Sequence, residues 1–170
     1  IDGGEQFFTR ANDFGYSKHP DETMEIWNKE EVLSDVVFVI RKFQPDVIIN
    51  RFDARSPGTT HGHHTASAML SVEAFDETSN PKIYPNQLKF VQPWQAQRLF
   101  FNTSWWFYGS KEKFDAADKS NLCKLQIGTY YQSLGKSNQE IAALSRSRHQ
   151  SHLRSKRISK PILSAGICWR

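Results

Sequence analysis

Pro45-Asp46-Val47-Ile48-Ile49-Asn50, a turn-rich stretch from Arg51 to Thr60, and then His61-Gly62-His63-His64-Thr65-Ala66 decide how this chain folds. Residues 46–50 are a continuous apolar run with polar ends. That pattern predicts a central strand of a parallel sheet, covered on both faces. Pro57-Gly58 marks the following loop as a turn. Thr65 begins a helical stretch, rich in small residues, that runs to Phe75. Upstream, residues 22–43 carry Met24, Trp27, Leu33, Val37 and Ile40 at helical spacing, which predicts one long helix or two abutting ones. Asp21 reads as its N-cap, and Gln44-Pro45 ends it. Helix, buried strand, loop, helix is the repeating unit of an open α/β sheet, in which ligands sit at the carboxyl ends of the strands.

Outside this segment the pattern is weaker. Gln6-Phe7-Phe8-Thr9 is β-prone and reads as a strand, and residues 11–20 read as loop. Residues 97–102 predict a further strand. Trp105-Trp106-Phe107-Tyr108 is an aromatic block expected in the core or in a pocket wall. Ser137 with Glu140 forms a capping box that opens a helix through Leu144.

Composition bounds the rest. The chain has 170 residues, enough for one domain. Its 38% hydrophobic content, against 24% charged residues of mixed sign, fits a folded chain over a disordered one. No apolar run approaches 18 residues, so no membrane-spanning helix is expected. Two cysteines, Cys123 and Cys168, exclude a disulfide scaffold and a Cys-rich zinc module. The net charge of +4 is uneven. Seven of the 22 basic residues and none of the 18 acidic ones lie from Ile141 onward, so the first 140 residues carry 15 basic and 18 acidic groups, a net −3. Residues 151–170 therefore read as a basic, disordered tail. Without interleaved base-stacking aromatics, that tail weighs against a nucleic-acid partner. Ile1-Asp2-Gly3-Gly4 shows no targeting pattern, and the compartment cannot be read from it.

Three histidines in four positions, at a strand's carboxyl end and a helix start, point to chemistry. If the helix begins near His61, then His61 and His64 share a face and His63 points elsewhere. Two such imidazoles suit a zinc site or an acid/base beside a metal. A helix N-terminus disfavours the imidazolium and so keeps the ring in the coordinating form. Two known motifs fail on the residues. A metallo-β-lactamase pattern needs Asp and His where Thr65 and Ala66 stand, and a histidine-triad pattern is broken by Thr65.

The apolar strand at 45–49, the loop, and His61-Gly62-His63-His64-Thr65-Ala66 with its small-residue helix together resemble the LmbE-like (PIG-L) zinc-dependent de-N-acetylases. The segment Arg10-Ala11-Asn12-Asp13-Phe14-Gly15 is similar to a sugar-binding loop of that family, and the resemblance covers about residues 1–150. It implies an α/β fold: a Rossmann-like, mostly parallel sheet with flanking helices, incomplete at the N-terminus, and the tail 151–170 departs from the family. It also implies removal of an N-acetyl group from an N-acetylglucosamine-type substrate with Zn2+ or another divalent metal. By the same resemblance His64 takes a metal ligand's place. His61 takes that of the histidine that stabilises the oxyanion and protonates the leaving amine, and Asp13 that of an aspartate that bonds sugar hydroxyls.

The departures are Gly62 where the family has proline and His63 where it has aspartate. The family's first motif, His-Pro-Asp-Asp-Glu, supplies the base and two further ligands and is expected upstream of Ile1. His19-Pro20-Asp21-Glu22 looks like a shortened form of it, but no apolar strand precedes it, and it reads as a helix start. The alternative is a catalytically inactive α/β domain that binds carbohydrate or a partner.

Overall fold

In the computed structural model of the chain, residues 4–125, 127–148 and 165–169 are described, the last of these by backbone alone. The chain mixes helices and strands, with a small parallel sheet, and divides into two compact units, one holding residues 7–103 and the other residues 104–148.

In the first unit, α1 (Pro20–Trp27) and α2 (Lys29–Phe43) abut at Asn28, whose left-handed backbone (φ 56°) breaks the helix without a proline or glycine. Asparagine tolerates that region better than most residues. The helix starts two residues earlier than the sequence suggested. His19 is the N-cap and Pro20 occupies the first turn, where its missing N–H costs nothing. Asp21 therefore lies inside the first turn, where its charge favours the helix N-terminus.

Next come β1 (Val47–Asn50), α3 (Gly62–Glu77), a 3-10 helix at Pro85–Lys89 and β2 (Arg98–Thr103). β1 and β2 pair in parallel, Val47 opposite Arg98 and Asn50 opposite Phe101. The core lies between α2, α3 and one face of β1. Val32, Leu33, Val37, Ile40, Leu70 and Ala74 are buried there, with Ile48 packed against them.

Two expectations change. β1 is covered on one face only. Ile48 points to the helices, while Val47 and Ile49 are about half exposed. The apolar run alternates like a one-sided strand, with its outer face about half open. The run at residues 6–9 forms no strand. Phe7 instead packs its ring edge-on to Phe43 at 5.8 Å, and Phe8 is exposed. Strand propensity without a partner edge leaves an irregular segment.

Arg41 ties the helices together. It is 1% exposed. Its guanidinium donates to the carbonyl oxygens of Thr78 (3.0 Å), Asn80 (2.8 Å) and Ile83 (3.0 Å), and to Gln87 Oε1 (3.1 Å). Gln87 in turn donates to the Ser34 carbonyl and hydroxyl on α2. Thr78 is the C-cap of α3, so the charge also complements that helix's negative end.

In the second unit, Trp105–Tyr108 is a 3-10 turn with Trp105 and Trp106 exposed, so this aromatic block is surface and not core. α4 (Lys111–Ala116) is capped by Ser110, whose hydroxyl accepts from Lys113 N. β3 (Leu122–Leu125) follows. β4 (Tyr130–Tyr131) and β5 (Lys136–Ser137) then form a small antiparallel hairpin. α5 (Asn138–Arg146) opens with the expected capping box of Ser137 and Glu140. Within the basic tail only the backbone of β6 (Ala165–Trp169) is described, so disorder of residues 151–164 lies outside the described residues.

Replacing Arg41 by methionine keeps the volume but leaves three carbonyls and the Gln87 amide oxygen without their donor. The expected loss is at least about 3 kcal/mol of unfolding free energy, a large share of a typical domain's stability. Urea denaturation measures it. Arg41→Lys should recover only part, because an ammonium cannot span four acceptors arranged for a planar fork.

Candidate metal centre

β1 ends at Asn50 and hands the chain to a loop built by short-range bonds. Asp53 accepts from the backbone N–H of Arg55 (3.0 Å) and from its guanidinium (2.9 Å). Burial alone would raise the Asp53 carboxyl, but these bonds from Arg55 outweigh it and hold the group below its usual range. Gly58 turns the chain at φ 82°, a value that favours glycine. His61 then caps α3 in an extended conformation (φ −62°, ψ 147°), and its carbonyl accepts from the N–H groups of His64 and Thr65.

Because His61 stands outside the helix, helical spacing does not govern its ring. All three imidazoles therefore converge, His63 included, contrary to the expectation that His63 points elsewhere. One nitrogen from each of His61, His63 and His64 lies within 4.8 Å of the other two. The His61 and His64 rings stack at 5.0 Å and 12°. His63 meets His64 edge-on at 4.5 Å and His61 at 5.3 Å.

Aromatic rings wall the cluster. Phe52, from the loop after β1, stacks on His64 at 4.0 Å and 6°. Tyr16 meets His61 edge-on at 5.1 Å, and Phe14 meets His63 at 6.4 Å. Sequence reasoning placed residues 10–15 in a sugar loop but did not find Phe14, Tyr16 or Phe52 as walls. The ring count in residues 14–16 and 52 was the available signal, and only the fold aims those rings. Asp13, on the same loop, is exposed and accepts from Gly15 N–H at 2.9 Å, which closes a local turn. His19-Pro20-Asp21-Glu22 contributes no side chain to the cluster.

Gly62 explains how the loop and α3 come so close. Its N–H donates to the Ser17 carbonyl at 2.9 Å. A Cβ at this position would overlap the His19 carbonyl and the Ser17 hydroxyl. Ser17 is itself buried, with its hydroxyl 2.6 Å from that of Thr23 on α1. A proline here would lose the N–H and clash, so the departure at Gly62 follows from this contact.

The electrostatics favour a neutral imidazole at His64. Burial lowers the His64 pKa, and the neighbouring His63, His61 and Arg51 lower it further. Nδ1 of His63 is buried without a hydrogen-bond partner. A buried polar atom left unpaired is costly, and a metal or a bound donor would satisfy it. Among the described residues no carboxylate belongs to the cluster. The chain matches no protein-family model and no curated protein sequence.

Gly62→Ala should destabilise the chain by at least about 2 kcal/mol, since the overlap is with backbone and not with a flexible side chain. Chemical denaturation checks this. Ser17→Gly should cost less stability in the Gly62→Ala background than in the unsubstituted chain, since there it also removes one of the two obstacles.

Proposed function

We propose that His61, His63 and His64 hold a divalent transition metal, zinc foremost, and that the chain uses it to hydrolyse the N-acetyl amide of an amino sugar. The convergence of three imidazole nitrogens carries the metal part of the proposal. Zinc bonds of about 2.05 Å in tetrahedral geometry put ligand nitrogens roughly 3.3 Å apart, so small side-chain rotations close the set. An all-imidazole donor set suits zinc, copper, iron or nickel and not the hard cations magnesium and calcium. Three protein ligands also leave a fourth position open, as in catalytic zinc sites. The orphaned His63 Nδ1 and the lowered His64 pKa fit the same role.

The hydrolase part rests on the resemblance to LmbE-like de-N-acetylases and on the 14–16 segment lying against the histidines. In this reading the first unit is part of a Rossmann-like domain. A bound zinc would lower the pKa of its water and polarise an amide carbonyl. His64 serves as ligand. The resemblance would have His61 stabilise the oxyanion and protonate the leaving amine, a role a coordinated imidazole does not fill, so in this proposal His61 acts as a ligand beside His63 and His64. Asp13, whose Oδ1 is engaged by Gly15, offers its other oxygen to a sugar hydroxyl.

One observation favours a second reading. With no carboxylate in the cluster among the described residues, the site lacks a general base there, as a catalytically inactive carbohydrate- or partner-binding domain would.

Zinc content after dialysis and acetate release from N-acetylglucosamine derivatives separate the two readings. The proposal expects one equivalent of zinc, most of it lost in His64→Ala. It also expects acetate release that is lost together with the zinc in His61→Ala. Zinc without acetate release moves the chain to the binding reading. Stoichiometric zinc retained in His64→Ala overturns the metal centre.

A further inference from the structure

We propose that Tyr16 is the specificity residue of the histidine site, its ring being the surface on which the pyranose of an N-acetyl amino sugar stacks. The inference rests on the reading of an amino-sugar ligand and adds the group that tells a sugar ring from any other acetamide. Among the aromatic walls, two rings are already packed. Phe14 meets Trp27 edge-on at 6.1 Å and His63 at 6.4 Å, and Phe52 is stacked on His64 at 4.0 Å. Tyr16 meets His61 edge-on at 5.1 Å, yet it is 64% exposed. An edge-on contact covers at most one face of a ring, so the other face of Tyr16 stays open beside the imidazoles.

The backbone that carries this exposed ring is held along its length. Arg10 donates to Asp35 on α2 through its N–H (2.8 Å) and its guanidinium (2.9 and 3.0 Å). The Asn12 carbonyl accepts from Trp27 Nε1 at 2.9 Å. Asp13 closes a turn on the Gly15 N–H, and Ser17 is buried between Thr23 and Gly62. Tyr16 sits between these last two anchors. A ring on so fixed a backbone loses little freedom when a ligand packs on it. The neighbouring chemistry names the ligand. An aromatic face is electron-rich and attracts the polarised C–H groups that a pyranose presents on its flat side. Asp13, exposed on the same turn, is a charged acceptor for hydroxyls. A hydrocarbon would leave that acceptor unused, and an anion would be repelled by it.

Methyl N-acetyl-β-glucosaminide and N-acetylethanolamine carry the same acetamide, one on a pyranose and the other on an open chain. Backbone amide NMR titration of the full chain with chelator present compares them. The sugar should bind at least threefold more tightly, with the largest shifts at Gly15, Tyr16 and His61. Tyr16→Ala should weaken the sugar about three- to tenfold, the worth of one aromatic contact, and leave the open-chain amide unchanged. Tyr16→Phe should bind as the unsubstituted chain does, because the ring face and not the hydroxyl is used. In the zinc-loaded chain the Tyr16→Ala loss should appear in KM with kcat little changed. Equal affinity for the two ligands, undiminished sugar binding in Tyr16→Ala, or equal loss of both ligands overturns the inference. Missing zinc or missing acetate release counts against the metal centre or the hydrolysis, and leaves the chelated titrations to decide on Tyr16.

Discussion

A buried guanidinium with no carboxylate beside it among the described residues sets the geometry of the first unit. Arg41 is taken out of water and faces only neutral oxygens, so every one of its hydrogen bonds must be made for the burial to be tolerable. Those oxygens belong to the end of α3 and to the segment that follows it. The charge on α2 therefore determines where α3 stops and how the chain leaves it. α3 is 16 residues long, about 24 Å from end to end. Its far end carries the histidines, and Lys29 to Glu73 (2.7 Å) fixes the helix against α2 at a second point. The direction in which His63 and His64 leave α3 is thus fixed by contacts well removed from them.

The loop side of the cluster is held differently, by a backbone approach that only glycine permits. Gly62 brings the Ser17 carbonyl onto the first turn of α3, and that contact draws Phe14 and Tyr16 over the imidazoles. Long-range charge and short-range sterics so converge on one small surface. Neither residue type has any chemistry of its own there.

Much of this was legible from residues alone. The strand–loop–helix unit, the second strand and the capping box of Ser137 all follow from periodicity and local hydrogen bonding, and all are present, whereas periodicity left open whether residues 22–43 form one helix or two. What failed depended on partners. The run at 6–9 has strand propensity but no edge to join. The strand at 47–50 looked two-sided because an apolar run does not say what covers it. The fate of His63 turned on one dihedral, since an extended His61 places its ring off the helix register and lets the third imidazole join. The aromatic walls were invisible for the same reason. Phe14 and Phe52 are 38 positions apart, and nothing local in either segment announces the other.

The parallel ladder has a kinetic consequence. Val47 and its partner Arg98 are separated by 51 positions, and between them the chain must complete α3 and the 3-10 helix. Closing so long a loop costs chain entropy that a two-strand ladder alone repays late, whereas each helix forms from contacts three or four positions apart. Strand pairing is therefore expected after α1, α2 and α3 have begun to form.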